Sequence, residues 1–123
     1  MYRIDQRSSV PVYEQLIRQI ERSILSGELK DGSRLPSIRE LASSLRINPN
    51  TVAKSYRQLE VEGLVRSRKG LGIFVSTDEV DLDGSRRRYF VQLTEEYLRK
   101  ARSLGLDDDE ILEGLSGMIG EDG

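Results

Sequence analysis

Apolar residues recur every three or four positions in two blocks between residues 11 and 45, and this spacing predicts two helices. The first block runs from Pro11 to Ser26, and Gly27 ends it. The second block follows Ser37. The Ser37 side chain can accept a hydrogen bond from the Glu40 amide while the Glu40 carboxylate accepts one from the Ser37 amide, as in a capping box. The predicted core residues are Tyr13, Leu16, Ile17, Ile20, Ile24 and Leu25 in the first helix and Ile38, Leu41, Ala42 and Leu45 in the second.

A third helix is predicted to begin at Asn48, a preferred N-cap residue, because Pro49 suits the first helical position. Only Arg46 and Ile47 separate it from the second helix. So short a connection makes two helices cross steeply, as in a helix-turn-helix. The residues expected to face the core are Val52, Tyr56, Leu59 and Leu64.

Two strands, 64–68 and 73–76, are predicted to form a hairpin after Gly63 ends the third helix. The turn between them has two glycines, which permit positive φ, and the pair Arg68-Lys69 brings charge to its tip. Gly-rich turns are common in hairpins that bind nothing, but a hairpin directly after a helix-turn-helix is typical of a wing. Residues 29–35 turn at Asp31-Gly32 and are expected to pair with this hairpin.

The polar side of the third helix carries the residue types that contact base edges and phosphates, namely Asn50, Thr51, Lys54, Arg57 and Gln58. The alternative is an ordinary solvated face, but such faces usually carry both signs of charge, and no acidic residue lies between Asn48 and Gln58. The whole chain has 19 basic and 21 acidic residues. Residues 1–33, 34–76 and 77–123 carry net charges of 0, +5 and −7, so positive charge concentrates in the helix-turn-helix and wing.

Residues 78–85 are acidic and lack apolar periodicity, which predicts a linker. From Arg86 onward a helical pattern extends to Gly105, and Asp107 with Glu110 predicts a capping box that opens another helix. The acidic run 107–110 lacks the spacing of a calcium loop, so a helix N-terminus is favoured over a metal site. A bare helical hairpin needs a partner surface, and a second copy is the simplest one. The predicted dimerisation residues are Phe90, Leu93, Tyr97, Ala101, Leu104, Ile111, Leu112 and Leu115.

The composition reduces the number of possible functions further. The 123 residues include no Cys and no His, which excludes disulfides, thiolate metal sites and a Ser-His-Asp arrangement. We therefore expect neither an enzyme nor a cofactor. No apolar run approaches eighteen residues and no signal peptide is apparent, so a cytoplasmic protein without membrane contact is expected.

Between Val12 and Val75 the chain resembles the GntR family of transcription regulators, in the segments VYEQLIRQI, SGELKDGSRLPSIRELA, INPNTVAKSYRQLEVEGL and GLGIFV. The resemblance implies a homodimer on a double-stranded operator of inverted repeats, with the third helix in the major groove and the wing tip in the minor groove. Arg39 matches a DNA-contacting Arg of the family, Asn48, Asn50 and Thr51 match the operator-reading positions, and Gly70 matches the wing-tip glycine. The candidate DNA-binding residues are Arg34, Ser37, Arg39, Asn48, Pro49, Asn50, Thr51, Lys54, Arg57, Arg68, Lys69 and Gly70.

Pro49 stands where other members carry an Arg, but the string Asn-Pro-Asn-Thr-Val resembles the YtrA subfamily. That resemblance implies a short two-helix C-terminal segment and control of ATP-driven transporter genes. Fewer than fifty residues follow the wing, too few for an effector pocket, and whether any small molecule binds is left open. The predicted fold is α+β and mainly α, with a winged helix-turn-helix (1–77), a linker (78–85) and a helical dimerisation hairpin (86–123).

Two other classes of function are considered. A winged helix can serve as a protein-interaction module, in which case its binding would be indifferent to DNA sequence. The chain could also be the DNA-binding arm of an aminotransferase-fused regulator, but no part of a cofactor domain is present.

Overall fold

The computed structural model describes residues 2–78 and 80–122, which form five helices and one two-stranded sheet. The chain divides into two compact units, Met1–Leu82 and Asp83–Gly123. The architecture is mainly helical, with a winged helix-turn-helix followed by two helices, as predicted. The elements are α1 (Val12–Leu25), α2 (Ile38–Leu45), α3 (Pro49–Val61), β1 (Val65–Arg68), β2 (Gly72–Val75), α4 (Leu82–Ser103) and α5 (Asp108–Asp122).

The core of the first unit lies where α1, α2 and α3 meet, and the predicted apolar stripes supply it. Most of the predicted core residues are buried, whereas Tyr13, Leu25, Ile38 and Leu45 are only partly buried. Tyr2, which the apolar pattern did not mark, also joins the core. The segment after it is attached to α1 by two side-chain amides: Gln19 and Gln15 each exchange hydrogen bonds with the backbone, of Arg3 and of Asp5 respectively.

The caps predicted for α2 and α3 are present. The Ser37 hydroxyl oxygen accepts from the Glu40 amide at 3.0 Å, although within residues 2–78 the reciprocal bond from the Ser37 amide to the Glu40 carboxylate is not formed. Arg46 ends α2 with a left-handed φ of 57°, which turns the chain sharply enough for Asn48 to cap α3 two residues later. Pro49 occupies the first turn of α3.

The wing is an antiparallel hairpin in which Val65 faces Val75 and Arg68 faces Gly72. Both strands agree with the prediction to within one residue at each end. A bridge between Arg34 and Phe74, with a bond from the Leu35 amide to the Ile73 carbonyl of 2.8 Å, attaches the segment before α2 to the hairpin. The predicted pairing of residues 29–35 with the wing is therefore confirmed.

The second unit corrects the predicted linker. Helix α4 already begins at Leu82, so residues 82–85 are helical rather than part of a linker over 78–85. Asp83 in the first turn explains this, because it favours the positive end of the helix dipole and pairs with Arg86 at 2.9 Å. The predicted capping box of α5 is formed in both directions between Asp107 and Glu110.

Two of the predicted dimerisation residues, Ala101 and Ile111, are already buried within the chain and so cannot offer an exposed surface to a partner. The prediction is corrected for these two because the chain itself already covers their side chains. The exposed fractions of Phe90, Leu104 and Leu112 are 64%, 78% and 65%. None of the described helices combines the length and the apolar character needed to span a membrane.

One acidic pair links α1 to the end of α3. Burial, a side-chain hydrogen bond with Glu62 and the negative charge of Glu62 together raise the pKa of Glu21 to about 8, while Arg18 opposes the shift. The folded state therefore holds a proton that an unfolded Glu releases near its ordinary pKa of 4.5. This contribution to stability is complete below that pH and is lost as the pH rises to about 8.

Glu21→Gln should therefore raise the melting temperature at pH 8.5 by about 4 °C or more, because it removes a buried charge, and should change it little near pH 4.5. Thermal unfolding followed by circular dichroism at both pH values measures this. Glu113→Gln, on the exposed surface of α5, is the control. The same temperature shift at both pH values would contradict the assignment.

Candidate nucleic-acid interface

The orientation of α3 about its own axis is determined by its buried side. Val52 and Leu59 are fully buried, and Tyr56 donates its hydroxyl hydrogen to the Pro36 carbonyl at 2.8 Å. Ser55 is also fully buried, and its hydroxyl lies 2.9 Å from the Tyr13 carbonyl of α1, to which it donates. With this side anchored, the polar residues of α3 lie on the opposite side, as predicted.

The start of α3 carries the residues predicted to read an operator. Asn48, Pro49 and Asn50 are exposed and Thr51 is half-buried. The Asn48 side-chain oxygen accepts from the Asn50 amide at 2.8 Å, and its NH₂ group is left free to donate to a ligand. No side-chain hydrogen bond engages the Asn50 carboxamide in the described structure, which leaves both its donor and its acceptor available.

The first turn of α2 contributes Ser37 and Arg39. The Ser37 oxygen accepts in the helix cap, but its hydroxyl hydrogen can still be donated. Arg39 is exposed, and neither Glu40 nor Glu60 forms an ion pair with it. The Glu60 carboxylate instead accepts from the Ser67 amide at 2.6 Å.

The tip of the wing is an exposed, basic turn. The Leu71 amide donates to the Arg68 carbonyl at 2.9 Å, and Gly70 has a φ of 78° that a side chain would disfavour. Arg68, Lys69 and Gly70 are all exposed there. Arg34 bridges to Phe74 of β2 and is exposed as well.

The structure adds one contact that the sequence analysis missed. The Lys54 ammonium lies 3.7 Å from the centre of the Tyr13 ring, a cation–π contact between α3 and α1. The apolar pattern assigned Tyr13 to the core, but the residue is only half-buried and presents a ring face to Lys54. Nothing in the sequence spacing links these two residues, because the contact depends on how α1 packs against α3.

In the described part of the chain, the basic side chains of this interface form no ion pair. Four ion pairs have measured N–O distances across residues 2–78 and 80–122. None of them involves a candidate DNA-binding residue. The exposed and unpaired basic residues are Arg34, Arg39, Lys54, Arg57, Arg68 and Lys69. A surface of exposed cations without ion pairs is complementary to a polyanion.

Residues 12–75 match the family described as bacterial regulatory proteins, gntR family. The HTH-type transcriptional repressor YtrA of Bacillus subtilis (strain 168) is 49% identical over 76 residues, which are 62% of this chain and 58% of that repressor. The matched segment thus spans less than two thirds of the length of that relative.

Solved structures extend the similarity. A GntR family transcriptional regulator from Listeria monocytogenes gives a TM-score of 0.77 at 28% identity, over 93% of this chain and 98% of that chain. YtrA from Sulfolobus acidocaldarius, a GntR-family transcription factor, gives 0.58 at 36% identity, over 97% of each chain. The DNA-binding domain of AraR in complex with operator ORE1 gives 0.53 at 25% identity, over 62% of this chain and 93% of that domain.

The contact between Tyr13 and Lys54 predicts a coupling that DNA titrations can measure. Tyr13→Leu should weaken binding of a double-stranded oligonucleotide by about threefold at fixed salt, because Lys54 loses the ring that positions it. Tyr13→Phe keeps the ring and should bind as the wild type does. In a Lys54→Ala background Tyr13→Leu should have no further effect, and an equal loss in both backgrounds would show that Tyr13 acts through packing alone.

Proposed function

The chain belongs to the GntR family of transcription regulators and is YtrA-like within it, and on that basis we propose that it is a sequence-specific repressor that binds an inverted-repeat operator as a homodimer. It is a regulator rather than an enzyme, as its family is. We place it in the cytoplasm, together with the DNA that it is proposed to bind.

The observation that carries this proposal is the exposed side of α3 up to Gln58, a stretch from Asn48 onward that contains no acidic residue. Its anchored core side leaves Asn50 at the start of the helix, where a carboxamide can contact adenine bidentately. Lys54 and Arg57 follow along the same exposed side and suit phosphates. The exposed wing tip at Lys69 and Gly70 provides a second point of contact, in the minor groove.

Homodimerisation is supported by the exposed apolar side chains of α4 and α5. Besides the residues predicted from the sequence, Met118 and Ile119 are 71% and 70% exposed. Two helices with this much exposed apolar surface call for a covering partner, and a second copy brings an identical surface. A two-fold dimer would present two copies of α3, which matches an operator with two inverted half-sites.

Repression and the regulated genes rest on similarity. The Bacillus subtilis relative is named a repressor, and we extend that activity to this chain. The YtrA-like character further suggests an operon for an ATP-driven transporter as the target.

Mutations should separate the base recognition of this interface from its phosphate contacts. From random duplexes, the full chain should select a preferred sequence. Asn50→Ala should then cost about 1 to 3 kcal/mol on that sequence and relax the preference at one position of each half-site. Lys69→Ala should weaken binding to selected and scrambled duplexes alike, because a phosphate contact is independent of sequence.

Fluorescence anisotropy at fixed salt measures both variants. If neither the wild type nor Asn50→Ala distinguishes selected from scrambled DNA, the chain is not a sequence-specific regulator. That result would favour a winged helix used for protein interaction.

Dimerisation through the helical hairpin predicts a sensitivity at Leu93, which is 46% exposed. Leu93→Asp should yield monomers and much weaker operator binding, since each large side chain buried at the interface contributes roughly 1.5 to 3 kcal/mol. Gln92→Asp adds the same charge at the neighbouring exposed position and should remain dimeric. Sedimentation velocity at micromolar concentration measures the oligomeric state of the wild type and both variants. A monomeric wild type would refute the proposed dimer.

A further inference from the structure

Three arginines share one face of the wing. Arg66 pairs with Phe74, Arg68 pairs with Gly72, and the bridge from Arg34 also meets Phe74. Directly paired residues of an antiparallel sheet point their side chains to the same face, and alternate residues of a strand share a face. Arg34, Arg66, Arg68 and Phe74 therefore form one surface, here called the arginine face, opposite the buried Val65 and Val75.

Local packing shapes this face. A Cβ atom added at Gly72 would lie 2.9 Å from the Arg34 Nε atom, so the missing side chain lets Arg34 cross the hairpin there. The Arg68 guanidinium lies 5.3 Å from the centre of the Phe74 ring, within the range of a cation–π contact. Phe74 thus serves as an apolar platform beside the arginines.

The arginine face has no acidic partner inside the chain. In the part of the chain that the structure describes, Arg34, Arg66 and Arg68 form no ion pair. Glu40 lines a shallow pocket with Arg34 but does not come within ion-pairing distance of it. Three like charges on one small sheet repel each other, so a polyanion that lies across them would be stabilised.

We propose that the arginine face binds the DNA backbone that flanks the half-site contacted by α3. The proposal rests on the proposed function, and continuity of the surface supports this ligand. Arg68 adjoins the wing tip at Lys69, and Arg34 lies three residues before Ser37 at the start of α2. A guanidinium fork matches a phosphate bidentately, and such contacts lengthen the footprint without adding base preference.

Arg66 offers the sharpest test because it is exposed and lies outside the residues assigned to operator contact. Two duplexes carry the sequence that the full chain selects: one trimmed to the two half-sites, the other with roughly ten further base pairs, about one helical turn, on each side. Arg66→Gln should lose about fivefold in affinity on the long duplex and less than twofold on the trimmed one. The salt dependence of binding to the long duplex should fall by about one counterion for each arginine removed.

Arg99→Gln, an exposed arginine of α4, is the matched control and should bind both duplexes as the wild type does. Arg66→Lys should keep most of the salt dependence, because it keeps the charge. Unchanged melting temperatures would show that the variants fold.

Equal affinity of Arg66→Gln and wild type on both duplexes would overturn the proposal. An equal loss on both would also overturn it, because the contact would then lie within the half-site. A wild type that selects no DNA sequence would instead refute the proposed function, so the two failures are distinguishable. Tighter binding of an acidic polypeptide than of the long duplex would assign the arginine face to a protein partner.

Discussion

The packing of α3 against α1 is the constraint on which the interface depends. A helix has 3.6 residues per turn, so anchoring one side determines which residues lie on the other. The hydroxyl of the fully buried Ser55 donates to the Tyr13 carbonyl, and Val52 and Leu59, about one turn before and one turn after it, are fully buried as well. A rotation of α3 that moved Lys54 into the position of Ser55 would bury a charge that is costly to remove from water. The core therefore selects the side of α3 that faces solvent.

Ion pairs are distributed unevenly along the described chain. The pairs Arg86–Asp83, Lys100–Glu96 and Arg102–Asp108 lie on α4 and at the start of α5, and the pair Arg18–Glu14 lies on α1. Exposed pairs of this kind contribute about 0 to 1 kcal/mol each, so they matter little for stability but neutralise the surface. The helix-turn-helix and wing leave their cations unpaired. That difference favours a polyanion as the ligand of the first unit and a second copy as the partner of the second.

Local signals in the sequence account for the elements that were predicted well. Ser37, Asn48 and Asp107 each start a helix through a side chain that caps backbone amides a few residues ahead, and such short-range bonds can be recognised without a structure. The start of α4 was misplaced because Asp83 and Gly84 resemble linker residues until their position in a first turn is known. Contacts between residues far apart in the sequence could not be predicted. Neither the ring of Tyr13 beneath Lys54 nor the path of Arg34 over Gly72 follows from spacing along the chain, whereas strand alternation alone could have joined Arg66 to Arg68.

Mapping the bound surface in solution tests the central claim most directly. Backbone amide resonances of the ¹⁵N-labelled full chain would be followed while a selected operator duplex is added. The perturbations are predicted to concentrate on residues 34–40, 48–58 and 66–72, with buried amides of α1 and the exposed side of α5 little affected. Perturbations confined to α4 and α5, or none at saturating duplex, would contradict the assignment of α3 and the wing as the DNA-binding surface.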